Sequence, residues 1–147
     1  MSAKVFVDTN VLVYSRDASE TEKQPQAISW MKHLWASQTG RLSYQVLQEF
    51  YSIVTTKLQP GMKPQNARED VQSLIAWHPI PVNYDVIKGA WSIQDRFHLS
   101  WWDSLIVSAA QIADCKYLLS DDLQNDQIHG DVRIVNPFTR SFDSLEP

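Results

Sequence analysis

Apolar residues along this chain fall into short extended runs separated by longer stretches with helical spacing. Lys4-Val5-Phe6-Val7 is a β-branched and aromatic run that stops at Asp8-Thr9-Asn10. Val11, Leu12 and Tyr14 then resume at helical intervals, which predicts strand, polar turn, helix. Between Gln24 and Gln38, the residues Ala27, Ile28, Met31, Leu34 and Trp35 form one apolar stripe, and Gly40 is placed to stop that helix. Tyr44 to Leu58 repeats the pattern through Val46, Leu47, Phe50, Tyr51 and Val54 before Pro60-Gly61. Lys63-Pro64 opens another helix with Ala67, Val71, Leu74 and Ile75 on one side. Ile80-Pro81-Val82 reads as extended, and Asn83 as the cap of a helix bearing Val86, Ile87, Ala90 and Trp91. Ser100 to Ala113 is a further helix, while Lys116 to Ser120 and Val132 to Val135 are strands.

Helices separating strands throughout predict an α/β fold with a central parallel sheet covered on both faces by right-handed crossovers. No repeat, low-complexity tract or linker interrupts the pattern, so residues 1–147 read as a single domain. A hydrophobic content of 44% supports one sizeable core. Six tryptophans are many for this length; Trp35 and Trp91 fall on apolar stripes and are expected in the core, with others available to a homodimer surface.

Charge and composition then narrow the chemistry. Thirteen Lys plus Arg against 17 Asp plus Glu give a net charge of −4, which excludes a basic nucleic-acid coat. Arg96, just before Trp101-Trp102-Asp103, and Lys116, Arg133 and Arg140 are scattered; Arg with aromatic side chains near an acidic site would suit an unstacked RNA base and its phosphate, but the stronger reading is solvated surface residues. The four glycines are too far apart for a Walker or Rossmann phosphate cradle. Cys115 is the single cysteine, which excludes intrachain disulfides and cysteine-based metal clusters and leads us to expect a cytoplasmic protein. The N-terminus does not fit a signal peptide, and no apolar run approaches the roughly 18 residues of a membrane span, so no membrane association is expected.

Four acids stand where chemistry collects in a parallel sheet, beyond the strand ends and on facing helices. Asp8 ends the first strand and Asp121-Asp122 comes after the strand at Leu118-Leu119-Ser120; either end could simply cap the next helix or turn. Asp103 falls on the apolar side of its helix, between Val107 and Ala110. It also stands three residues after Ser100, the spacing of a capping box, and the two readings are compatible. Glu49 lies at the edge of its apolar stripe beside Val46 and Phe50, where a solvated boundary residue is the plain alternative. If Asp8, Glu49, Asp103 and Asp122 converge, each pair about 5 Å apart repels by about 3 kcal/mol at an effective dielectric near 20. Such a cluster raises its own pKa values or takes a divalent cation, and all-oxygen ligation favours Mg²⁺ or Mn²⁺.

These segments together resemble the PIN domain, and more narrowly the small ribonuclease toxins of VapBC-type toxin–antitoxin pairs. The matching stretches are Val7-Asp8-Thr9-Asn10-Val11-Leu12-Val13-Tyr14, Gln48-Glu49-Phe50, Trp102-Asp103-Ser104-Leu105-Ile106-Val107-Ser108-Ala109-Ala110 and Leu118-Leu119-Ser120-Asp121-Asp122-Leu123. The likeness runs on through Ile134-Val135-Asn136-Pro137-Phe138. It implies a three-layer α/β/α domain and an endoribonuclease that hydrolyses RNA phosphodiester bonds with Mg²⁺- or Mn²⁺-activated water, leaving a 5′-phosphate and a 3′-hydroxyl. Asp8 and Asp103 are the implied principal metal ligands, with Glu49 and Asp122 completing the site directly or through water. Thr9, Asn10 and Ser120 match the family's supporting polar positions. Strand alternation lets only one of Asp121 and Asp122 face inward, and the family pattern selects Asp122, leaving Asp121 as an outer partner. Relatives often carry a glycine shortly after this segment, where Asn125-Asp126 stands here. The implied partners are RNA, a second copy of the chain and a cognate antitoxin. The non-enzymatic alternative is a PIN-fold binding module that engages protein or RNA through its acidic pocket. A haloacid-dehalogenase-like phosphatase would need a second aspartate where Asn10 stands.

Overall fold

The computed structural model describes residues 2–147. The chain runs β1 (Val5–Val7), α1 (Thr9–Arg16), α2 (Lys23–Ser37), β2 (Gly40–Arg41), α3 (Tyr44–Thr56), α4 (Pro64–Leu74), α5 (Tyr84–Phe97), α6 (Trp101–Ile112), β3 (Tyr117–Leu119), β4 (Ile128–His129) and β5 (Val132–Val135). The strands form one sheet in the order β2-β1-β3-β5-β4. Three neighbouring pairs are parallel, and only β4 runs antiparallel, against β5. Every residue of β1 and β3 is buried, which requires cover on both faces of the sheet. The expected α/β architecture with a central, mostly parallel sheet is therefore what the chain adopts.

Three expectations need correction. Helices do not separate the strands throughout, because the connection from β3 to β5 holds only a loop and β4, and Gly130 turns the β4–β5 hairpin at φ 61°. Gly40 does not stop α2, which ends at Gln38 in the left-handed conformation, its N–H bonded to the Leu34 carbonyl. Instead Gly40 lies in β2 against Trp77, and a Cβ there would sit 2.6 Å from the indole. Trp35 and Trp91 are surface residues, 40% and 48% exposed, whereas Trp30 and Trp77 are the tryptophans in the core. The helical stripes located the right faces, but Trp35 and Trp91 sit at their margins, where a large ring reaches solvent.

At Asn125-Asp126 the backbone does what a glycine would do, with Asp126 left-handed at φ 67°. Its carboxylate is held by Arg140 at 3.2 Å and Arg133 at 3.7 Å. Aspartate tolerates this conformation better than most residues.

Candidate functional site

The parallel register pairs Val7 with Leu119, so Asp8 and Ser120 leave the carboxyl ends of adjacent strands side by side. From β1 the chain crosses to β2 on one flank, while β3 lies on the other. This reversal opens a crevice at the strand ends, the place where open α/β sheets bind ligands.

Asp8 is buried and caps α1, taking the Thr9 N–H on Oδ1 at 2.7 Å. Its Oδ2 accepts the Ser120 hydroxyl at 2.8 Å. The same hydroxyl oxygen accepts the N–H groups of Asp122 and Leu123 at 3.2 and 3.3 Å, so one buried serine shapes the turn after β3 and orients Asp8. Asn10 joins both strand ends. Its amide nitrogen lies 3.1 Å from Asp122 Oδ2 and 3.4 Å from Asp8 Oδ2, while its oxygen accepts the Asp121 N–H at 3.2 Å. Capping and site membership thus coincide at Asp8.

Two helices bring the remaining acids to the same crevice. Ser43 caps α3 through the Val46 N–H, and Ser100 caps α6 through the Asp103 N–H at 3.1 Å. The Gln45 amide donates to the Trp102 carbonyl at 3.3 Å and ties these two helix starts together. Asp8, Asp103, Asp122 and Glu49 consequently line one cleft of about 310 Å³, with Thr9, Asn10 and Gln45 among its polar walls and Ile53 and Ile106 among its apolar ones. For Asp103 the backbone N–H is capped by Ser100 while the residue also lines the cleft, so the two placements are compatible.

The electrostatics fit a crowded acidic crevice. Burial pushes the Asp8 pKa up to about 7, against the lowering effect of Ser120 and Thr9, with Asp103 and Asp122 adding repulsion. Burial also raises Glu49, and the Asp103 charge adds to it. Asp103 is raised by burial and by Asp122. Asp121 behaves in the opposite way. Burial would raise it, but Lys23 at 2.9 Å and the Tyr14 hydroxyl at 3.1 Å outweigh that and hold it below the usual carboxylate range.

Asp121 therefore points away from the cleft into a network with Lys23, Tyr14 and Asn136. Of these three, Lys23 and its role in fixing the β3 turn escaped the sequence reading, because a lysine opening an amphipathic helix carries no signal of a partner 98 residues away. Gln45 was missed for the same reason. Arg133, Arg140 and Lys116 are tied into pairs with Asp126 and Glu146, and no Lys or Arg lines the acidic cleft.

The residues present fit a hard divalent cation. The donors are all oxygens, and the buried Glu49 Oε1 and Thr9 Oγ1 have no hydrogen-bond partner. No three His, Cys, Asp or Glu side chains among the described residues close around one point. A cation here would therefore be held by one or two carboxylates, with waters filling its other positions.

Residues 5–129 match the family model of the PIN domain. A chain of a toxin–antitoxin complex from Klebsiella pneumoniae superposes with a TM-score of 0.64, covering 91% of this chain and 98% of that one at 16% identity. Mycobacterium tuberculosis VapC20, described as a sarcin-ricin loop cleaving toxin, superposes with a TM-score of 0.62, covering 81% and 92% at 20% identity. No curated protein matches the chain. At these identities the structural likeness concerns the fold.

Proposed function

The chain belongs to the PIN domain family, and from that premise we propose that it is a divalent-cation-dependent endoribonuclease, the toxin member of a VapBC-type pair. One observation carries this reading: four acids from four separate segments line a single cleft at the carboxyl ends of β1 and β3. The description of VapC20 as an RNA-loop-cleaving toxin, and the toxin–antitoxin origin of the Klebsiella chain, support it by analogy of fold. A cognate antitoxin and a second copy of the chain are the partners proposed on the same grounds. No helix among the described residues is long and apolar enough to cross a membrane.

Asp8 and Asp103 would be the principal ligands of Mg²⁺ or Mn²⁺, with Asp122 and Glu49 completing the site through water. Such a cation supplies positive charge against the charge developing on the phosphoryl oxygens and acidifies an attacking water. Ser120 and the Thr9 N–H keep Asp8 in one rotamer, and Asn10 holds Asp122 at a fixed separation from it. Glu49 lines the cleft with its proton affinity raised chiefly by burial, so a bound cation would also relieve its charge. Thr9 and Ile106 bound the cleft.

The test is incubation of purified protein with labelled RNA and Mg²⁺ or Mn²⁺. Asp8→Asn and Asp103→Asn should each lower cleavage by at least about 100-fold, while Asp121→Asn stays within about 10-fold of the parent. Cleavage that persists in Asp8→Asn or in excess EDTA would remove the enzyme assignment. The open spacing of the carboxylates is the observation on the side of a non-catalytic binding module, and RNA retention without any cleavage would establish that alternative.

A further inference from the structure

We propose that the indole of Trp102 is a stacking platform for an unpaired nucleobase of the RNA strand whose phosphate enters the acidic cleft, an inference that rests on the nuclease reading. Trp102 is 65% exposed, the most exposed large apolar side chain among the described residues. It lines the same cleft as Asp8, Asp103 and Asp122. Burying an aromatic side chain is among the larger stabilising terms open to a domain, yet this ring is presented to solvent beside a proposed metal ligand. Consecutive Cα atoms lie about 3.8 Å apart, so the ring and the Asp103 carboxylate start from adjacent points on one helix.

The support beneath the ring is firm. Ser100 caps the helix through the Asp103 N–H, and Gln45 holds the carbonyl of Trp102 itself. The other exposed tryptophans have aromatic neighbours, Trp35 against Trp77 and Trp91 against Tyr84. Among the described residues Trp102 has none within stacking distance, so both faces lack an aromatic partner.

Charge decides what kind of contact this platform supplies. No Lys or Arg lines the cleft and several carboxylates do, so a polyanion gains little there from the protein's own charges. Beyond what a bound cation would supply, affinity next to the scissile phosphate must come from an uncharged contact of the protein itself. A base π-face on an indole is such a contact, and it is tolerant of sequence. It also selects structure, because a base inside an A-form duplex is already stacked and out of reach, whereas one in a loop or single strand can be splayed onto the ring.

Steady-state cleavage of a short unpaired oligoribonucleotide with Mn²⁺ tests this. Trp102→Ala should raise KM by about 10- to 100-fold, the range expected for losing one base–aromatic stack, with kcat little changed. Trp102→Phe should recover most of the loss, and Trp91→Ala, remote from the cleft, should match the parent. An independent arm monitors indole fluorescence as the same oligonucleotide is titrated with Mg²⁺ into Asp8→Asn protein. Quenching should vanish in Asp8→Asn/Trp102→Phe and with an oligonucleotide lacking the base. Unchanged KM in Trp102→Ala, with no Trp102-dependent quench, would overturn the platform while leaving the nuclease standing, and would leave the ring to a protein contact. Quenching through Trp102 with no cleavage by the parent protein would keep the platform and overturn the nuclease.

Discussion

At Asp8 the fold places a carboxylate where burial opposes its charge, and the consequence is a stability that depends on pH. Its pKa is raised to about 7 from an unfolded value near 3.8, so without a bound cation the folded state binds the proton more tightly. The stabilisation is fully present below about pH 4 and is lost as pH rises through 7, with a ceiling of about 4 kcal/mol for three pKa units. Glu49 and Asp103, also raised, act in the same direction, whereas the lowered Asp121 acts oppositely. In EDTA, urea melts should show the parent losing stability from pH 5 to pH 8. Asp8→Asn should flatten that dependence and be more stable than the parent at pH 8 by about 1–3 kcal/mol. Legibility was uneven at this scale. Asp8 could be picked out by its place at a strand end and Asp103 by its position on an apolar stripe, whereas the strand end offered Asp121 and Asp122 alike and only the family pattern chose between them. Lys23, Gln45 and the exposure of Trp102 could not be picked out, because each depends on what a distant segment brings alongside, and periodicity reports only which face of its own helix a residue occupies.

Among the elements, α5 and α6 pack closely where Gly89 meets Ser108, whose hydroxyl donates to the Val86 carbonyl at 2.8 Å. A Cβ on Gly89 would lie 2.5 Å from that oxygen. Helix propensity alone predicts that Gly89→Ala stabilises by about 1 kcal/mol, but the contact decides otherwise. The variant should be destabilised by about 1–3 kcal/mol in denaturant melts, and Gly89→Ala/Ser108→Ala should recover part of the loss. The long helices were legible because each repeats its apolar spacing over three or more turns. Strands β2 and β4 were not, being two residues each, too short for an alternation to register. Missing β4 also concealed the helix-free crossing from β3 to β5.

For the whole molecule, the arrangement 2-1-3 around β1 puts the crevice at a reversal of strand order, and four segments meet there. Repulsion within the crevice and relief by a cation are then one equilibrium. A ligand that binds only the folded state stabilises by about 2.7 kcal/mol at a hundredfold excess over Kd. Mg²⁺ or Mn²⁺ at pH 8 should therefore raise Tm by roughly 5–10 °C in the parent, with a much smaller rise in Asp8→Asn, by differential scanning fluorimetry. An equal rise in both proteins would place the cation elsewhere. The crevice also has a schedule. Its last acid, Asp122, comes after β3, and β3 is the strand that joins the β2–β1 half of the sheet to the β5–β4 half. A ribosome releasing the chain early yields a fragment with neither the final carboxylate nor the strand that unites the sheet. A polypeptide of this design has its full set of crevice carboxylates only once the chain has been made through Asp122.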